Sequence, residues 1–133
     1  MKIVLLGILG LFIITSLSGF VHSPKPITKE EIKRIDFLSG AEIKDVYNQN
    51  TLVGNYYKYD SNFTFKFNKD GTFDGALNNG EKAVKGKWQI KGNKNCLVFE
   101  NKVEDCVKYY KKGIRYYTVN DSMMRTSDFL IKN

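Results

Sequence analysis

From Thr51 onward the chain alternates apolar and polar residues in short runs, each closed by turn-forming residues. A period of two is the signature of a strand with one buried face, and connections of only a few residues leave no room for helical crossovers. The clearest run is 62–68, where Phe63, Phe65 and Phe67 share one face and Thr64 and Lys66 the other. Asn68-Lys69-Asp70-Gly71 then supplies a tight turn. In 72–77, Phe73, Gly75 and Leu77 stay in phase, and Asn78-Asn79-Gly80 turns the chain again. Residues 82–91 set Val84, Gly86, Trp88 and Ile90 against Lys85, Lys87, Gln89 and Lys91. With 51–59, 96–100, 105–111, 114–120 and 123–131, the count reaches about eight strands, the size at which an up-and-down sheet closes on itself. Closure removes both edges, so the sequence predicts an all-β fold, a small antiparallel up-and-down β-barrel.

Ahead of the strands, Thr28-Lys29-Glu30-Glu31 and Ser39-Gly40-Ala41-Glu42 carry the spacing of a capping box, in which a hydroxyl and a carboxylate satisfy the first free amides of a helix. One or two short helices are therefore expected before the barrel. The better supported covers 40–48, where Ala41, Ile43, Val46 and Tyr47 form a narrow apolar stripe suited to plugging or flanking the domain.

The first residues have a different purpose. Met1-Lys2 leads into an apolar run from Ile3 to Ile14, closed by Thr15-Ser16-Leu17-Ser18. This is the form of a secretory signal peptide, assigned to 1–18. A cut after Val21-His22-Ser23 is a second option. So is a retained anchor, because a run extended to Val21 just reaches the roughly 17 residues of a minimal span. The expected organisation is a signal at 1–18, a linker and short helix at 19–37, and the barrel at 38–133. The expected address is the periplasm or the exterior, with membrane contact only through the signal segment.

Export determines how Cys96 and Cys106, the only cysteines, are read. An even pair in an oxidising compartment is first a disulfide. A metal pair is the alternative, but two thiols without a nearby His give too few ligands for zinc. If Cys96 lies opposite Cys106, then Leu97 faces Asp105, Phe99 faces Val103, and the turn falls at Glu100-Asn101-Lys102.

The formal net charge of +7 comes from 21 basic residues, of which only Arg34, Arg115 and Arg125 are arginine. Nucleic-acid sites favour Arg for bidentate contacts, so a Lys-rich exported chain does not point to nucleic acid. His22, the only histidine, leaves with the signal or lies beside it, which removes imidazole chemistry from the folded domain. Glu104 and Asp105 are adjacent in a hairpin and read as solvated turn charges. Gly71, Gly80, Gly92 and Gly113 fall where hairpins need positive φ, so no phosphate loop is implied. No catalytic residue, metal or cofactor is expected.

Two aromatic sets remain. Phe65, Phe67, Trp88, Tyr109 and Tyr117, with Phe63, Phe73 and Phe99, are candidates to line a cavity for a small apolar ligand, or else to fill the barrel outright. Tyr56, Tyr57, Tyr59, Tyr110 and Tyr116, if they face outward among lysines, would form a contact surface.

The stretch Leu38-Ser39-Gly40-Ala41-Glu42-Ile43, together with Asn68-Lys69-Asp70-Gly71-Thr72-Phe73, Gly86-Lys87-Trp88 and the two cysteines, resembles a family of small exported proteobacterial proteins of unknown function. The Asp70-Gly71-Thr72-Phe73 phrase and Gly86-Lys87-Trp88 are similar to lipocalin-like domains of the calycin group. The resemblance implies a small barrel in the bacterial envelope and supplies no catalytic residues. The expected function is an exported, monomeric, non-enzymatic barrel that binds a small apolar or envelope-derived ligand. The alternative is a protein-interaction module, such as a periplasmic inhibitor or envelope assembly factor.

Overall fold

The computed structural model describes residues 25–48 and 50–132, so the export segment 1–18 lies outside the described residues. Eight antiparallel strands form a closed up-and-down barrel: β2 (Thr51–Tyr56), β3 (Ser61–Phe67), β4 (Thr72–Leu77), β5 (Lys82–Lys91), β6 (Lys94–Phe99), β7 (Glu104–Lys112), β8 (Arg115–Val119) and β9 (Met124–Lys132). Each strand pairs with its neighbours in sequence, and β9 closes on β2 through Leu52↔Ile131 and Gly54↔Phe129. Asp128 bolsters this seam from outside, accepting bonds from Tyr57 Oη and, at 2.7 Å, from Arg115 Nη1. The cysteine hairpin has the register that the sequence predicts, with Cys96↔Cys106, Leu97↔Asp105 and Phe99 N–H donating to Val103 O.

Two helices precede the barrel. In α1 (Lys29–Arg34) Thr28 Oγ1 accepts from Glu31 N at 3.1 Å. In α2 (Gly40–Tyr47) Ser39 and Glu42 complete a reciprocal capping box at 3.2 and 3.0 Å, satisfying two otherwise free donors. Among the described residues no helix is long and apolar enough to cross a membrane.

Alternation assigns the two faces of the sheet. Leu52, Phe63, Phe65, Phe67, Phe73 and Phe129 are buried together inside the barrel. The hairpin turns alternate between its ends, and α2 packs against β5 and β6 at the end that carries the 68–71 and 92–93 turns. Ile43, Val46 and Tyr47 are its buried face, so α2 plugs that end. The opposite end carries the 57–60, 78–81, 100–103 and 120–123 turns and has no such cover among the described residues.

Residues 25–37, expected as linker and short helix, pack along the outside. The two-residue β1 (Lys25–Pro26) pairs with the start of β9. Ile27, Ile32, Ile35 and Phe37 then cover Tyr110, Tyr117 and Val119 on the outer faces of β7 and β8. Arg125 ties the strap down, donating to Glu31 Oε2 at 2.8 Å while lying 5.9 Å from the Tyr117 ring centre.

Cys96 and Cys106 are joined by a disulfide on the outer face of the sheet. It closes a short loop in the unfolded chain, worth about 2–3 kcal/mol in the chain-entropy picture. The double variant Cys96→Ala/Cys106→Ala is expected to lose about that much in urea unfolding and to retain a cooperative transition. Absence of any transition would mean that the aromatic core does not hold the barrel alone.

Candidate functional site

The barrel interior is filled. A cavity of about 20 Å³ remains among Phe65, Leu97, Asp105, Val107, Tyr109 and Phe129, which is room for roughly one water. Small-molecule sites run to several hundred Å³. The rings consume the difference: Phe63, Phe65, Phe67 and Phe73 contact one another at centroid distances of 4.9 to 6.3 Å.

The five candidate lining residues separate. Phe65, Phe67 and Tyr109 are buried inside. Trp88 is half-buried at the plugged end. Tyr117 faces outward, stacked on Tyr110 at 5.1 Å beneath the strap, and so lies apart from the other four. The β7–β8 register is the reason: Tyr110 pairs with Tyr117 and Tyr109 with Thr118, so Tyr116 supplies the inward ring. Tyr116 stacks on Phe129 at 5.1 Å, and Tyr56 is also inside against Phe63. Of the five tyrosines considered for an outer contact surface, Tyr56 and Tyr116 therefore do not reach it. Tyr110 is outside but covered by Phe37.

Asp105 is not the solvated turn charge that the hairpin position suggests. Its register opposite Leu97 turns it inward, whereas Glu104 points out and pairs with Lys91 at 3.0 Å. Burial raises the Asp105 pKa, and the Lys58 ammonium partly opposes the rise. An acid whose pKa is higher in the folded state binds more protons folded than unfolded, so stability falls as pH climbs from the ordinary carboxylate value through the raised one. Asp105→Asn is expected to raise the neutral-pH unfolding midpoint and to flatten that part of the pH profile. An unchanged profile would place the carboxylate in solvent.

At the plugged end, Tyr47 is the centre of a buried polar group. Its ring stacks on Phe67 at 3.8 Å, its hydroxyl bonds the Tyr109 hydroxyl, and Asn95 Nδ2 donates to its oxygen at 2.5 Å. Burial pushes Tyr109 up to about 12 and Tyr47 well above its ordinary value. Both are neutral hydroxyls near pH 7, and their hydrogen bonds join α2 to the barrel wall.

Outside this plug lies a second, larger space. A groove of about 350 Å³ runs between α2 and the β3–β4 turn, walled by Lys44, Asp45 and Asn48 on one side and Asn68 and Lys69 on the other, with Trp88 and Tyr47 behind. The fold fixes Trp88 in it. Its backbone N–H donates to Gly71 O at 2.8 Å, its indole Nε1 donates to Asn68 O at 3.0 Å, and Tyr47 meets the ring edge to face at 5.4 Å. Asn68 in turn donates from Nδ2 to Thr72 Oγ1 at 3.0 Å, which locks the turn. Of the groove residues, the sequence singled out only Trp88 as a ligand-site candidate. The helix that Ser39 caps and the Asn68–Gly71 turn were both visible, but only the docking of α2 brings Lys44, Asp45 and Asn48 beside Asn68, Lys69 and the indole.

Among the described residues one trio of metal-ligand types converges, Cys96, Cys106 and Glu104, and both its sulfurs are committed to the disulfide. No protein-family model, no curated protein and no solved structure matches the chain.

Proposed function

We propose that the protein is an exported, non-enzymatic binding module of lipocalin-like style whose ligand sits outside the barrel, in the Trp88 groove. The observation that carries this reading is the contrast in volume: about 20 Å³ inside the barrel against about 350 Å³ beside Trp88. Only the second falls in the range of small-molecule sites. The groove combines a fixed aromatic wall, Trp88 and Tyr47, with five polar side chains around it. Export rests on the 1–18 signal, and the oxidised Cys96–Cys106 pair fits an oxidising compartment.

The test is a native mass spectrum of the protein isolated unreduced from the envelope of its own host. A mass lacking residues 1–18 and two protons, with a stoichiometric small-molecule adduct, is expected. A full-length mass would overturn cleavage, and a bare domain that takes up no molecule from an envelope extract would overturn the carrier reading.

A protein-interaction role has separate support at the uncovered end of the barrel. Tyr59 is 64% exposed in the 57–60 turn and Val103 is 53% exposed beside the 100–102 turn. Lys58 Nζ lies 5.5 Å from the Tyr59 ring centre. Amphipathic aromatics such as Tyr are enriched at protein interfaces, so an envelope protein is the partner that this reading implies.

A further inference from the structure

We infer that the Trp88 groove takes a saccharide, with a sugar ring against the indole and its hydroxyls bonded to the surrounding side chains. The inference rests on the groove being the ligand site, as proposed above, and adds the class of ligand.

Behind the groove stand two aromatic residues, and Trp88 is the one with open surface, since Tyr47 is only 1% exposed. An indole offers an electron-rich face and a large apolar area. The remaining wall is polar: Lys44 and Lys69 donate, Asp45 accepts, and Asn48 does both. A purely apolar ligand would strip water from these groups and return no hydrogen bonds, which is costly. A phosphate would meet the Asp45 carboxylate and the C-terminal end of α2, where the helix dipole is negative. Planar cations would meet two ammoniums. A sugar ring suits all of these constraints, because its C–H face is apolar and its rim carries hydroxyls that both donate and accept.

The polar groups are also available. Lys44, Asp45, Asn48 and Lys69 are exposed, and among the described residues their side chains make no hydrogen bond or ion pair. The indole, by contrast, is immobilised through Asn68 and Tyr47. A rigid apolar surface ringed by uncommitted polar groups binds with little ordering cost in its aromatic part.

Trp88 is the only tryptophan, so its fluorescence reports this groove alone. The full chain, unreduced, would be titrated with maltotriose, triacetylchitotriose, trigalacturonate, adenosine monophosphate and decanoate. The expected result is a saturable emission change with at least one saccharide, at a Kd in the roughly millimolar range or tighter. Asp45→Ala and Lys69→Ala should each weaken it about five-fold, as loss of one hydrogen bond implies. Lys82→Ala, at the far end of the barrel, should leave it unchanged, with circular dichroism confirming that all three variants fold. Saturation by the nucleotide or decanoate, with no response to any saccharide, would overturn the saccharide assignment and keep the groove as a ligand site. No saturable response to any of the five would overturn both.

Discussion

Replacing Gly75 with valine is expected to abolish the cooperative fold. A Cβ at Gly75 would stand 1.9 Å from Thr64 O and 2.8 Å from a ring carbon of Phe65, and the nearer atom is backbone of the adjacent strand. Side chains can rotate away from such a clash, but a ladder carbonyl cannot without breaking the β3–β4 register, in which Gly75 pairs with Phe65. The same closeness recurs at the seam, where a Cβ on Gly54 would lie 1.9 Å from Asp128 O. At both points the neighbouring strand comes so close that only glycine fits. Overpacking of this kind exceeds the roughly 1–3 kcal/mol of an extra methylene and rivals the whole stability of a small domain. Gly113→Ala is the control. Its position has φ +65° with nothing within 4 Å, so only about 1 kcal/mol is at stake. Urea unfolding followed by circular dichroism distinguishes the two, and a Gly75→Val transition near that of the unaltered protein would show that the strands can separate there.

Removing the plug has the second largest effect. Tyr47→Ala deletes a fully buried ring that stacks on Phe67 and contacts Trp88 and Tyr109. Truncation of a buried aromatic costs about 3–5 kcal/mol, and here it also opens the end of the barrel. Tyr47→Phe separates packing from hydrogen bonding. It keeps the stack and leaves Asn95 without its one side-chain partner, where Asn95 Oδ1 already has none. An unsatisfied buried amide costs about 1–3 kcal/mol, so Tyr47→Phe should fall between Tyr47→Ala and the unaltered protein. Equal midpoints for Tyr47→Phe and the unaltered protein would mean that the hydroxyl network contributes nothing. Equal midpoints for Tyr47→Ala would mean that α2 is not a structural plug.

The barrel was legible because alternation, turn residues and the cysteine pair all specify local geometry. Phe63, Phe65 and Phe67 share a face in any register, and Cys96↔Cys106 fixes Leu97 opposite Asp105 without further information. Tyr117 was not legible, because its face depends on whether the Gly113-Ile114 turn pairs Tyr109 with Tyr117 or with Thr118. One residue of register decides that, and composition does not. Asp105 was misread for a related reason: a carboxylate next to a turn is usually solvated, yet its neighbour Cys106 is committed to the outer face and forces it inward. The groove lay further out of reach. Lys44, Asp45 and Asn48 are twenty or more positions from Asn68 and Lys69 in sequence, and only the packing of Tyr47 onto Phe67 unites them at Trp88.

The most direct test of a filled barrel with an external site is amide and indole chemical-shift mapping during titration with the saccharide that quenches Trp88. Shifts are expected only at residues 44–48, 68–71 and the Trp88 indole, with Leu97, Asp105 and Val107 unmoved. Shifts centred on Tyr56, Asp105 and Thr118, with the groove silent, would place the ligand inside the barrel and contradict the external site.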